Sequence, residues 1–134
     1  MPALERLVQF TTARHRLLTH NIANLSTPYF KPVDLDPKSF QAAMREAIDK
    51  RRKRPAPLSG PLEIRSTRQL RFEPNGLQVK PSPRNENILF HDQNNRDLER
   101  LMQDLAENTM AHNAGIQMLA SEFDMLKLAI RERI

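Results

Sequence analysis

Residues 102–130, MQDLAENTMAHNAGIQMLASEFDMLKLAI, decide how the chain is read. Met102, Leu105, Thr109, His112, Ile116, Leu119, Phe123, Leu126 and Ile130 recur at alternating steps of three and four, the rhythm of one face of an α-helix. Met118, Met125 and Leu128 add apolar surface beside that seam, more than one neighbouring helix can cover. Asn94 or Asn95 can cap the start, Asp97 and Glu99 favour its positive end, and the helix is expected to run to about Arg131.

The N-terminal end has the same rhythm. Leu4, Val8, Thr11, His15, Leu18, Ile22 and Leu25 form a heptad seam on a helix of about 25 residues, roughly 38 Å long, with Leu7, Phe10 and Leu17 as a second strip. Laid antiparallel, the seams allow Leu4 to meet Ile130, Val8 Leu126, Thr11 Phe123, His15 Leu119, Leu18 Ile116, Ile22 His112 and Leu25 Thr109. Every polar seam position then faces an apolar one, and Thr11, His15, Thr109 and His112 limit misregistered pairing. A Val8–Leu126 contact is the test of this register.

Nine of the ten prolines lie between Pro28 and Pro83, so the helix-competent ends flank a broken middle. The expected fold is mainly α: long N- and C-terminal helices form an antiparallel coiled-coil-like pair, with a small irregular middle containing a short helix and a candidate β-hairpin. Residues 1–27 and 94–134 make the helical domain, and 28–93 the middle segment. Within the middle, Phe40, Met44, Ala47 and Ile48 share one side of a helix from about Lys38 to Lys53, stopped by Pro55 and Pro57. Leu70 and Phe72 precede Pro74-Asn75-Gly76, and Leu77 and Val79 follow it, a hairpin pattern over residues 69–80. A lone hairpin is marginal in water and must pack on something. The basic stretch at about 50–61 reads as a mobile loop.

Composition narrows the function classes. The 134 residues argue for one domain with a small core, and 39% hydrophobic content without Trp points to an elongated shape or a core completed by partners. With no cysteine there is no disulfide, thiolate nucleophile or thiolate metal site. Three scattered glycines, at 60, 76 and 115, make no phosphate loop. The histidines at 15, 20, 91 and 112 have no partner at metal-ligand spacing, and no nucleophile accompanies His91-Asp92. No catalytic residue, metal site, cofactor or small-molecule substrate is expected. Of the net charge of +5, Lys50-Arg51-Arg52-Lys53-Arg54 supplies five positives; a solvated run is the plainer reading, and few aromatic residues lie near enough to stack on bases. No run is apolar enough to span a bilayer, and the N-terminus lacks the apolar core of a secretory signal.

Two segments carry a resemblance. His20-Asn21-Ile22-Ala23-Asn24-Leu25-Ser26-Thr27-Pro28, followed by Tyr29-Phe30-Lys31, is similar to the N-terminal signature of the flagellar rod and hook axial-protein family, in which a helix ends in N-x-A-N-x-x-T-P before an aromatic-Lys pair. The stretch Ile88 to Leu98, with Asp92, Asn94, Asp97 and Leu98, continuing into Glu107-Asn108, resembles the part of that family's proximal-rod members that opens the last helix. The motif residues at the first end are thus Asn21, Ala23, Asn24, Thr27, Pro28, Phe30 and Lys31. The family usually has Gly after Thr-Pro where this chain has Tyr29; if that Gly takes positive φ, Tyr29 is strained there or the turn differs.

The resemblance implies a structural subunit of the basal-body rod, exported by the flagellar type III apparatus without a cleaved signal peptide and assembled in the periplasm. Its partners would be other rod proteins, copies of itself, and membrane-ring and export-gate components, with no nucleic acid. The helix seams, from Leu4, Val8, Leu18, Ile22 and Leu25 to Leu105, Ile116, Leu119, Phe123, Leu126 and Ile130, would be the assembly interface. A helical adaptor or chaperone gripping a partner helix, or a basic nucleic-acid-binding protein, are the other classes.

On the residues' own terms, Asn21 and Asn24 are expected to bond backbone groups left free at the end of the first helix.

Overall fold

A computed structural model describes residues 2–55, 62–83 and 94–133, with side chains from residue 98 onward in the last segment. Helix α1 spans Pro2–Ala23, α2 Pro37–Arg52 and α3 Asn94–Glu132. Four short strands lie between: β1 Val33–Asp34, β2 Leu70–Glu73, β3 Gly76–Val79 and β4 Ser82–Pro83. The chain is mainly helical, its two long terminal helices pack against each other, and the strands form two small antiparallel pairs.

Each element has a local cause. Pro2 opens α1, where a missing N–H costs nothing. Asp36 caps α2: its carboxylate accepts from the Lys38 N–H at 3.0 Å and the Ser39 hydroxyl at 2.7 Å, with Pro37 in the first turn. Lys50, Arg51 and Arg52 occupy the last turn of α2, where positive charge meets the negative end of the helix dipole. The expected loop at 50–61 therefore begins later than its charge suggests; residues 56–61 lie outside the described residues. The hairpin pairs Leu70 with Val79 and Phe72 with Leu77, as the alternation predicts. Its turn differs: Glu73 pairs with Gly76, so Pro74 and Asn75 make the corner. Proline holds φ near −65°, which excludes the primed turn that Asn-Gly would favour.

The core lies where α1 meets the middle segment. Phe10 stacks on Phe40 with ring centroids 4.2 Å apart, and Phe72 closes the far side of Phe40 at 6.4 Å. Leu35, Met44 and Leu70 complete the buried cluster. The hairpin is thus fastened to α1, and Arg6 strengthens the attachment by donating to the carbonyls of Glu73 and Gly76 while lying over the Phe72 ring. No helix among the described residues is long and apolar enough to cross a membrane.

The register of α1 on α3 corrects the expected one. Thr11 meets His112, not Phe123, through a 2.9 Å contact between hydroxyl and Nδ1. Val8 lies against Gly115, not Leu126: a Cβ built on Gly115 would stand 3.2 Å from Val8 Cγ2 and 3.3 Å from Leu7 Cδ2. Both shifts are eleven residues along α3, about three turns. The small Gly115 lets the helices approach there, whereas Leu126 would hold them apart.

Candidate assembly interface

Alternate positions of both seams are also displaced by one residue. On α1 the buried residues include Thr11, Arg14, Leu18 and Asn21, so Arg14 and Asn21 take places expected for His15 and Ile22. His15 is exposed, while Leu4, Val8, Ile22 and Leu25 are half-buried. On α3, Leu101, Asn108 and Gly115 turn inward with half-buried Leu105, His112 and Leu119, whereas Met102 and Ile116 are exposed. Sequence reasoning passed over Arg14, Asn21, Asn108 and Gly115 as seam residues because polar or small side chains do not register in an apolar pattern. They are buried because each has a specific partner or permits close approach.

Those partners form one connected frame. Arg14 grips Asp34 with two parallel bonds, Nε to Oδ1 and Nη2 to Oδ2, both 3.1 Å, and approaches Asp104 of α3 at 4.0 Å. A planar guanidinium suits such bidentate pairing, and the pair is largely shielded from solvent. Asn21, 0% exposed, donates to the Val33 carbonyl at 2.7 Å and accepts from the Val33 N–H at 3.3 Å, acting as a short strand for β1. It therefore does not serve the end of α1, contrary to expectation. Asn24 does, donating to the His20 carbonyl at 2.9 Å and accepting from the Thr27 hydroxyl at 3.3 Å. Asn108 donates across the helix pair to the Thr11 carbonyl at 2.8 Å.

The motif residues divide accordingly. Asn21 and Asn108 are buried tethers, Leu98 and Phe30 are half-buried, and Ala23, Thr27, Pro28, Lys31 and Glu107 are exposed. Phe30 packs edge-on against His20 with centroids 5.5 Å apart, bracing the corner after α1. Beside it Tyr29 takes φ 62° with its side chain fully in solvent. That left-handed geometry is natural for Gly and strained for Tyr. Asp92 and the side chains of Asn94 and Asp97 lie outside the described residues.

Beyond Leu119 the interface changes character. Since Val8 lies beside Gly115, α1 begins near the level of residue 121, and α3 continues alone for about three more turns. Phe123, Leu126 and Ile130 continue the α1-facing side by their three-and-four spacing, yet are 52%, 49% and 63% exposed. Met118, Met125 and Leu128 are exposed on the flank. Large apolar side chains exposed together at one end of a helix are the kind of surface found at contact sites. Among the described residues no group of three or more His, Cys, Asp or Glu side chains could hold a metal ion.

Comparisons of the chain with protein-family models, with curated proteins and with solved structures find no match.

Proposed function

We propose that this chain is a structural subunit of the proximal rod of the bacterial flagellar basal body, of the FlgB type, exported by the type III apparatus and assembled in the periplasm. One observation carries most of the weight. Tyr29, standing where the rod family usually has Gly, adopts the left-handed φ that only Gly takes freely. If the family glycine takes positive φ there, the chain keeps that backbone geometry although the residue changed. Asn21 and Asn108, one from each resembling segment, are both buried as tethers within one frame, which supports reading the segments as parts of a single device.

In this role the frame around Arg14 fixes how the middle segment leaves the helix pair, and the bare end of α3 supplies apolar knobs to neighbouring rod proteins. Torque is then carried by packed side chains that resist shear. Deleting the gene should leave cells with membrane rings but no rod, and without swimming. A normal rod in the deletion strain would end this reading.

A helical adaptor or chaperone remains the second reading, because the exposed α3 ridge would equally hold a partner helix. It would act without export, so retention of all the protein inside the cell with motility intact would favour it. A nucleic-acid role has less support, since two of the five cations of the basic run already stand in ion pairs, Lys50 with Glu46 at 3.3 Å and Arg54 with Glu63 at 3.2 Å.

A further inference from the structure

Residues 65–69, which lead into the hairpin, form neither helix nor strand, yet their backbone is pinned at several points. The Thr67 N–H donates to the Leu70 carbonyl at 2.9 Å, and the Thr67 hydroxyl accepts from the Leu70 N–H at 3.2 Å. The Gln69 side chain accepts from the Asp36 N–H at 2.8 Å and donates to the Asp34 carbonyl at 3.3 Å, while its own carbonyl accepts from the Lys80 N–H at 2.7 Å. Thr67, Gln69 and Leu70 are thus held inward, which leaves Arg65, Ser66 and Arg68 exposed on a fixed backbone. Two clefts flank the loop and meet at Arg68. One, of about 440 Å³, lies against α2 and is lined by Arg65, Ser66 and Arg68; the other, of about 450 Å³, lies over the hairpin and is lined by Arg68, Arg71, Gln78 and Lys80. Arg71 stands opposite Gln78 in the register, so Arg71, Gln78 and Lys80 share the face turned away from Leu70 and Val79. Four cations therefore gather around one rigid loop. Nearby carboxylates offset them little: Glu46 lies 3.3 Å from Lys50, Glu63 lies 3.2 Å from Arg54, and Glu73 reaches the largely exposed Arg71 only at 3.8 Å. Among the described residues Arg65, Arg68 and Lys80 stand in no ion pair. Like charges held together cost the chain stability, and a negative partner reverses that cost.

We propose that this loop and the outer face of the hairpin bind an acidic segment of a partner protein, one that presents several carboxylates in succession. Three of the four cations are arginines, whose planar guanidinium pairs with a carboxylate through two parallel bonds, and Ser66 and Gln78 add neutral donors between them. Because the backbone is already fixed, little order has to be imposed when the ligand arrives. Other polyanions fit less well. A single-stranded nucleic acid needs rings to stack on, and among the described residues no aromatic side chain lines either cleft. A membrane surface needs apolar side chains to insert beside the charges, whereas Leu70 is buried and Val79 half-buried on the opposite face. Each cleft is larger than a single oxyanion, so a chain of charges fills them better than a free ion. The surface shares no residue with the bare end of α3, and the proposal does not depend on the rod reading.

The probe is a short peptide made only of glutamate, titrated into the full-length chain at low salt. It should bind, and added salt should weaken the binding steeply. Arg65→Gln/Arg68→Gln should weaken it by more than about tenfold, since hydrogen bonds to charged groups are lost at the point where the clefts meet. Lys127→Gln/Arg131→Gln removes the same charge from the end of α3 and should weaken it by less than about threefold, which separates the site from net charge. All four replaced side chains are exposed, so both variants should unfold in urea as the parent chain does. A single-stranded oligonucleotide of equal charge, vesicles rich in an anionic lipid, and inorganic phosphate form the other arms, each expected to bind more weakly than the peptide. Three results would overturn the proposal: a peptide that does not bind, equal losses from the two double variants, or tighter binding in any of the other arms.

Discussion

The two halves of α3 continue one side of the helix, the first mixing apolar with polar and small residues, the second apolar alone. From Leu101 to Gly115 the side facing α1 carries Asn108 and His112, both bonded to Thr11, and a glycine that lets the helices close. From Phe123 to Ile130 that side is wholly apolar and faces solvent. A helix that only stabilised its own chain would place its large apolar residues against α1 and its polar ones outside. Here Leu101, Leu105 and Leu119 share the α1 side with Asn108 and His112, so attachment within the chain combines apolar packing with a few directional bonds, while the apolar side chains of the last turns are left bare. Directional bonds set one register; apolar surface supplies association strength without fixing it.

The sharpest way to break this comparison is a matched pair of substitutions. Leu18 is fully buried, so Leu18→Asp should abolish cooperative unfolding, because an unpaired carboxylate has no place in that core. Phe123→Asp should leave the unfolding free energy of the dilute monomer in urea unchanged to within about 0.5 kcal/mol. Equal damage from both would mean that the end of α3 is structural after all.

Next in size is Arg14→Met, which keeps the apolar stem but abandons Asp34 and Asp104. A loss of about 3 kcal/mol is expected by urea unfolding, and Arg14→Lys should recover only part of it, since an ammonium cannot make both parallel bonds. Asn21→Ala should cost about 1–3 kcal/mol and speed amide exchange at Val33, whose N–H loses its acceptor. A stability loss without that local exchange change would argue against Asn21 as a strand surrogate. The smallest effect is of opposite sign. Tyr29→Gly removes no packing and relieves the left-handed strain, so the thermal midpoint should rise by a few degrees.

Much of the architecture was legible beforehand. Proline placement separated the helical ends from the middle, because proline removes a donor and clashes inside a helix wherever it occurs. The spacing of Phe40, Met44 and Ala47 located α2, and the alternation around Pro74 located the hairpin, though Pro74 itself changed the turn. The site was less legible. Arg14, Asp34 and Asp104 are separated by many residues, and nothing local marks them as neighbours. Asn108 stood out only through the resemblance and Asn21 also as a helix-end side chain, and their partners, Val33 and Thr11, are backbone groups that any residue could supply.

The sequence by itself determined that this chain has two long amphipathic helices and a proline-broken middle with a short helix and a hairpin, since periodicity and proline act through local backbone geometry. Only the tertiary structure decided which turns of those helices meet. Heptad seams repeat, so sliding one helix by a few turns preserves most apolar contacts and costs little in pattern. What separates one register from another is whether Asn108 reaches the Thr11 carbonyl, Arg14 finds two carboxylates and Gly115 lies where the backbones approach. Those are distances in space, and they left the last turns of α3 uncovered.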